Sequence, residues 1–411
     1  MKRIIIIATT FLGFVNLMQA QTKKAVFIII DGVSKDVIEK VPTPNLQAIA
    51  KEGALISAFQ GGERGQYNQT PTISAPGYNN VLTGVWFNKH NVPDNAIKAP
   101  NYHYPTIFRF FEDQYPEKQT AVFSSWQDNR TKLIGEGLAG TGAIKLDYSF
   151  DGLELDTVKY PHDKEHRYME YIDQAITDEA ASYIRKKGPD LSWVYLQFTD
   201  DMGHMFGDSK QFHDAVEAAD RRVGQIWDAI QERKKQHNEE WLIVVTTDHG
   251  RDAEKGKNHG GQSDRERASW IVTNSQPLNN YAKTSLVSVV DILPTIARFL
   301  DIRIPADKLK ELDGTALIGK VSLGGAVAKK EGGKIDLSWM PLDKSGKVKI
   351  WITTTNTTKT LNQPDPYTLI GEVPVKDGKF TIDLKKLPAS DFYKIVLEGK
   401  YNTLNRWISN K

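Results

Sequence analysis

The chain of 411 residues contains no cysteine. Disulfides, thiolate metal ligands and a lipid-modified cysteine are therefore excluded, and any metal must be held by nitrogen and oxygen donors. Charge of one sign is not in surplus either: 53 Lys and Arg stand against 51 Asp and Glu, a formal net charge of +2. That balance argues against duplex nucleic acid or an anionic membrane as partner, because bulk attraction to either needs a field of one sign. Any preference for phosphate has to be local. After residue 20 no apolar run competes as a transmembrane helix, and there is no internal repeat or long low-complexity segment.

What is present begins with "MKRIIIIATTFLGFVNLMQA". Lys2 and Arg3, an apolar run too short for a bilayer span, and the small residue Ala20 before "QTKK" predict a secretory signal peptide over residues 1–20 with cleavage near Ala20. Met18 departs from the usual small-residue cleavage pattern, and a membrane anchor is the competing reading. Export of a cysteine-free chain fits a periplasmic or secreted bacterial protein with no integral membrane segment after cleavage. The remaining length, at 40% hydrophobic residues, can bury a sizeable core and suggests two domains.

Short runs rich in β-branched residues recur: "KAVFIIIDG", "LSWVYLQFTDD", "WLIVVTTDHG" and "ASWIVTN". Apolar on both faces, they suit buried parallel strands. Between the second and third, Phe212, Val216, Ala219, Val223, Ile226 and Ile230 step at helical spacing. Strand, helix, strand predicts an α/β fold with a mostly parallel sheet sandwiched by helices over residues 21–318. "VSVVDILPTIARFLDI" predicts a helix closing that domain. From residue 319 to 411 the texture changes to short strands separated by Gly, Pro, Asn and Asp turns, "KIDLSWMPLD", "GKVKIWITTT", "GKFTIDL" and "FYKIVLEG" among them. This predicts a small all-β sandwich, and the arrangement of Trp339, Trp351 and "LPASDFYKIVLEG" resembles a fibronectin type III or immunoglobulin-like module.

Three strands lead into aspartate: Asp31, Asp200 and Asp248. Ligands of open α/β sheets bind at the carboxyl ends of strands, so these carboxylates are expected on one edge. Histidines accompany them: His204 four residues after Asp200, His249 beside Asp248, and His259 in "KNHGG". Each element alone is common in turns and on helix surfaces, but buried carboxylates are costly unless paired or bound to cations. Imidazole and carboxylate without thiolate favour zinc over manganese or iron, and six such groups exceed one tetrahedral site and suffice for two metals. In "TPTISAPGYNNVLTG", Ser74 precedes Pro76 and a weak helical pattern. It is either an N-cap or a nucleophile placed where a helix terminus favours negative charge. With no general-base triad evident, a metal is the natural activator of its hydroxyl. One cation on Asp31, Asp248 and His249 would hold the Ser74 oxygen, and a second would sit on Asp200, His204 and His259.

The ordered set "FIIIDGV", "PTISAPGYNNVLTG", "HNVPDN", "FTDDMGHMFG", "TTDHG" and "KNHGG" resembles the alkaline phosphatase superfamily, most closely its type I phosphodiesterase and nucleotide pyrophosphatase branch, from about Lys24 to Ile318. The resemblance implies that Ser74 attacks phosphorus and that Asn95 donates to a phosphoryl oxygen. It implies one metal subsite of Asp200, His204 and His259 and another of Asp31, Ser74, Asp248 and His249. The substrate class it implies is a small-molecule phosphate ester, a phosphodiester or nucleotide pyrophosphate. His259 follows the Asp-His pair without the insertion usual in that branch, which leaves substrate choice open. The C-x-P-x-R or S-x-P-x-R nucleophile of sulfatases is absent, and "SAPGY" stands instead. Arg130 in "SSWQDNRTK" is a candidate for gripping the extra charge of a monoester, so a phosphomonoesterase on the same machinery is the alternative function. A non-catalytic surface binding protein is a remote third. Arg265 and Arg267 are expected in structural ion pairs, and His162, His166, His213 and His237 on the surface. Oligomeric state is not indicated.

Overall fold

The computed structural model describes residues 21–409, so the expected signal peptide lies outside the described residues. Eight strands form one sheet: β1 (Thr22–Ile30), β2 (Ala54–Phe59), β3 (Thr120–Ser124), β4 (Tyr148–Phe150), β5 (Leu191–Leu196), β6 (Glu239–Thr246), β7 (Ala268–Thr273) and β8 (Val287–Ser288), in the order β4-β3-β5-β1-β6-β7-β2-β8. Every neighbouring pair is parallel except the two that involve β7.

Why the sheet is buried on both faces is visible in β1. Ala25, Phe27 and Ile29 enter one hydrophobic cluster, whereas Val26, Ile28 and Ile30 enter a second on the opposite face, as the two-residue period of a strand requires. The first face is covered by the helices Ser74–Thr83, Ile107–Gln114 and Ile292–Phe299. Pro44–Glu52, Arg167–Lys187 and Lys210–Gln236 cover the second. In the last of these all six residues at helical spacing are buried. Ser209 accepts a hydrogen bond from the Phe212 amide at its start, the expected N-cap chemistry. Among the described residues no helix is long and apolar enough to cross a membrane.

Two local expectations change. β7, "ASWIVT", is as apolar as its neighbours but antiparallel to β6 and β2. The chain from β6 to β7 contains only loops and the short helix Asp264–Arg267, so it turns back at the same edge of the sheet, and such a reversal yields an antiparallel pair. "VSVVDILPTIARFLDI" is helical only from Ile292 to Phe299. Its first two residues are β8, and Ser288 and Asp291 cap each other reciprocally to start a 3₁₀ turn.

Seven further strands, β9 (Leu323–Glu331), β10 (Lys334–Pro341), β11 (Lys347–Thr353), β12 (Thr368–Pro374), β13 (Lys379–Asp383), β14 (Phe392–Glu398) and β15 (Thr403–Ser409), form two antiparallel sheets in the orders β13-β10-β9 and β12-β11-β14-β15. A separate core that includes Ile335, Leu337, Trp339, Ile350, Ile395 and Leu397 lies between them. The three-plus-four arrangement is that of a fibronectin type III sandwich.

The sandwich is joined to the α/β part by buried charge. Lys394 on β14, fully buried, donates to Glu311 Oε1 at 2.6 Å and Asp365 Oδ2 at 2.8 Å. Lys89, equally buried, donates to Asp313 Oδ1 at 2.6 Å and Asn405 Oδ1 at 2.9 Å. Removing one partner of such a pair leaves the others as uncompensated buried charges. Lys394→Met is therefore expected to destabilise the protein by about 3–5 kcal/mol, measured by urea unfolding at neutral pH. Burial pushes the Asp365 carboxyl up, but Lys394 and nearby hydroxyl and amide donors hold it at about 2. Its contribution is complete above the ordinary carboxylate range and is lost as pH falls toward 2. The wild-type protein should lose stability in that acid window, and Lys394→Met should lose less there.

Candidate functional site

The strands β5, β1 and β6 are adjacent and parallel at the centre of the sheet, so the segments leaving them meet at one edge. Asp31 directly follows β1, and Asp248 comes two residues after β6. Asp200 is not at a strand end: it lies in the first turn of the helix Phe198–Phe206 that follows β5, with His204 one turn later. The i, i+4 spacing puts both on one face, and His204 Nε2 is 3.2 Å from Asp200 Oδ2. His259 comes from the reversing loop between β6 and β7.

The carboxylates share a pattern. Asp31 Oδ2 accepts from the hydroxyls of Tyr78 and Tyr195, the latter at 2.7 Å, and Asp248 Oδ1 accepts from the Gly32 amide at 3.1 Å. Their other oxygens, Asp31 Oδ1 and Asp248 Oδ2, are buried without a hydrogen-bond partner. They lie 3.3 and 3.2 Å from His249 Nε2. Asp200 Oδ1 is bound by the Arg251 guanidinium. Each aspartate is thus anchored through one oxygen and presents the other.

The imidazoles converge on the same space. His249 stacks on His259 with ring centroids 3.7 Å apart, and His259 Nε2 is 3.0 Å from His204 Nε2. His259 is oriented by Nδ1, 2.9 Å from the Thr72 carbonyl, and His249 by Nδ1, 2.9 Å from the Gly250 carbonyl. Ligand atoms of Asp31, Asp248 and His249 lie within 4.8 Å of one another, as do those of Asp200, His249 and His259. His249 is therefore shared by two donor groups, not confined to one.

The electrostatics record crowded negative charge. Burial, then Asp31, pushes the Asp248 carboxyl well above its ordinary range. Burial lowers His249, but Asp248 and Asp31 outweigh it and bring the imidazole up to about 9. Burial and the neighbouring His249 take His259 down to about 4. Buried carboxylate oxygens without a hydrogen-bond partner, facing imidazole nitrogens, fit a divalent cation.

Ser74 is the first residue of the helix Ser74–Thr83, with Ile73 at the cap. Its hydroxyl caps nothing. Instead it lies 3.4 Å from His249 Nε2, while the Asn95 side-chain oxygen accepts from the Ala75 amide at 2.9 Å. Asn95 performs the capping expected of Ser74, and its amide nitrogen is left as a donor beside the serine. Gly77 lets the helix approach this closely: a Cβ there would lie 2.8 Å from Asp248 Cβ.

A cleft of about 380 Å³ opens beside Ser74, with Asn95, Asp31 and Asp200 among its lining residues. Trp126, Glu154, Leu155, His162 and Tyr168 contribute to its walls. His162, expected on the surface, stacks on Tyr168 at 4.2 Å between centroids. Arg130 is not brought to Ser74. Asp151 holds it at two points, 2.6 and 2.9 Å, and Glu136 at 2.7 Å, so its donors are committed. Arg265 pairs with Asp36 and Asp208, whereas Arg267 donates to the carbonyls of Gln60 and Gly62. A larger cleft, about 1150 Å³, lies at the junction with the sandwich, and its lining residues include none of the candidate metal ligands. Tyr78, Tyr195, Arg251 and the cleft walls escaped sequence reasoning. Only the tyrosine within "SAPGYNN", one turn after Ser74, carried a usable positional signal.

Comparison with known proteins gives a consistent affiliation. A model of the family described as type I phosphodiesterase / nucleotide pyrophosphatase matches residues 25–276. Ectonucleotide pyrophosphatase/phosphodiesterase family member 7 of Rattus norvegicus is 26% identical over 244 residues, which cover 56% of this chain and 50% of that protein. Family member 5 of Homo sapiens is 22% identical over 253 residues, 60% of this chain and 48% of that protein. The chain spans about half the length of the curated relatives it matches. The solved structure of Ps i-CgsB in complex with k-i-k-neocarrahexaose is similar in fold, with a TM-score of 0.50 at 16% identity, covering 85% of this chain and 86% of that one. On the match of its catalytic-type motifs and most of its α/β part, the chain belongs to the type I phosphodiesterase / nucleotide pyrophosphatase family.

Proposed function

We propose that the protein is an exported, metal-dependent hydrolase of phosphate esters that works on phosphodiesters or nucleotide pyrophosphates through a phosphoseryl intermediate on Ser74. The observation that carries this is the position of Ser74 Oγ, at a helix N-terminus and 3.4 Å from His249 Nε2, beside two buried carboxylate oxygens that have no partner. Asp31, Ser74, Asp248 and His249 would hold one cation and Asp200, His204 and His259 the other, and two zinc-type ions held there would supply Lewis acidity toward hydroxyl and water and offset charge on the phosphoryl group.

Ser74 Oγ attacks phosphorus, the bond to the first ester oxygen breaks, and that group leaves as an alcohol or phosphate after taking up a proton. Water then attacks the phosphoseryl group, releases the second product and restores the serine. The helix N-terminus favours the charge that develops on the phosphoryl oxygens, and the Asn95 amide donates to one of them. Tyr78 and Tyr195 keep Asp31 in a single orientation. Trp126, Tyr168 and Leu155 present an apolar wall to the leaving group and exclude water from part of the cleft.

Diesters are favoured over monoesters by the charge of the cleft. Among the described residues no Lys or Arg lines it, and Arg130 is engaged by Asp151 and Glu136. The dianion of a monoester therefore lacks the additional side-chain cation it needs. A nitrophenyl phosphodiester should show higher kcat/KM than the matching monoester; the reverse order would establish the phosphomonoesterase alternative.

Ser74→Ala is expected to reduce kcat on the diester by on the order of 10³-fold or more, and a full rate in that variant would remove the phosphoserine pathway. Asn95→Asp separates two roles. It keeps an oxygen for the Ala75 amide but replaces the donor with an anion, so the melting temperature should hold while kcat falls by about 10²–10³. Chelation should abolish hydrolysis, with recovery on adding zinc.

A further inference from the structure

Arg251 is a buried charge against Asp200 that the proposed chemistry does not use. It follows "DHG", and its side chain is fully buried. Nε donates to the Gly32 carbonyl at 3.0 Å, Nη1 to the Lys257 carbonyl at 3.3 Å, and Nη2 both to the Asp200 carbonyl at 2.8 Å and to Asp200 Oδ1. Its own amide donates to Ser34 Oγ at 2.8 Å. One guanidinium therefore joins the turn after Asp31, the helix of Asp200 and His204, and the loop two residues before His259.

The surrounding sequence is cut to admit it. A Cβ at Gly203 would lie 2.1 Å from Arg251 Cζ, and one at Gly32 would lie 2.7 Å from Nη2 and 2.6 Å from Asp200 Oδ1. Both glycines sit inside the motifs that carry Asp200, His204 and Asp31, "DMGH" and "IDGV". A planar fork with five donors, always charged, fixes a carboxylate more tightly than an ammonium can. Here it occupies Oδ1 and leaves Oδ2 facing His204 at 3.2 Å. Its charge also separates the donor groups. Among the described residues no guanidinium pairs with Asp31 or Asp248, whereas the Asp200 carboxylate is already compensated.

We propose that Arg251 is a positioning residue that makes the two metal subsites unequal: it turns Asp200 into a one-oxygen ligand, registers the His259 loop against it, and so builds a dependent, exchangeable subsite beside a tighter one on Asp31, Asp248 and His249. This rests on the two-metal function proposed above. Loss of the fork should release Asp200 and the His259 loop together, and the Asp200, His204 and His259 subsite should empty first.

The test is zinc content and competition against a chromophoric chelator, on protein shown to be folded by circular dichroism. Wild type should bind about two equivalents in two affinity classes, and Arg251→Lys should keep the tight class but lose 10–100-fold in the weaker one, falling to about one equivalent after dialysis. Diesterase activity of Arg251→Lys should return as free zinc is raised, which a merely structural lesion would not do. If Arg251→Lys does not fold, Gly203→Ala reads the same interaction by pushing on the guanidinium from the helix. Two equivalents with an unchanged competition curve in the folded variant would overturn the role of Arg251 and leave the two-metal function standing. Fewer than two equivalents in wild type would end both.

Discussion

Three carboxylates, gathered by the segments that leave three adjacent parallel strands, are the constraint around which the rest of this molecule is organised. Asp31, Asp200 and Asp248 are all buried or nearly so, and their mutual repulsion raises the energy of the folded chain unless it is answered. The protein answers it only in part. Tyr78 and Tyr195, the Gly32 amide and Arg251 each secure one oxygen. Asp31 Oδ1 and Asp248 Oδ2 have no hydrogen-bond partner and face the single imidazole of His249, and burying such groups is costly without a further cation. The strain is concentrated at the site and supported by a sheet with a hydrophobic core on each face.

Economy of chain accounts for the shape of the site. The segment from β6 to β7 turns back at the ligand edge without a crossover helix, and this short path delivers His259 against His249 and His204. Thr72 ties the two sides together, its carbonyl facing His259 and its hydroxyl accepting from the Gly260 amide. The serine segment and the His259 loop are thus held in register by a residue two positions before Ser74. The β-sandwich is attached elsewhere, through Lys394 and Lys89, so its buried charges stabilise the junction without drawing on the carboxylates of the site.

Much of the fold was legible because burial on two faces leaves a one-dimensional trace. The unbroken apolar runs at Ala25–Ile30 and Leu242–Val245 read as central strands, and the spacing from Phe212 to Ile230 reads as one face of a helix. Direction was not legible. β7 is as apolar as the parallel strands of the sheet, and only the path of the connecting loop makes it antiparallel. The same limit applies to Ser74: the sequence places a hydroxyl near a helix start, but whether it caps depends on Asn95, which accepts from the Ala75 amide instead, 20 residues away in the chain.

By itself the sequence determined the chemistry available. It offers aspartate, histidine and serine with no thiol, spaced after apolar runs that had to become strands, and a change of texture near residue 319 that had to become a second kind of core. Tertiary structure alone decided which donors meet and which charges are already engaged. It shared His249 between two donor groups, committed Arg130 to Asp151 and Glu136, and brought Arg251 against Asp200. Side-chain type is local, whereas a hydrogen bond or ion pair depends on atoms brought together by strand order and loop path, neither of which is written at any one position.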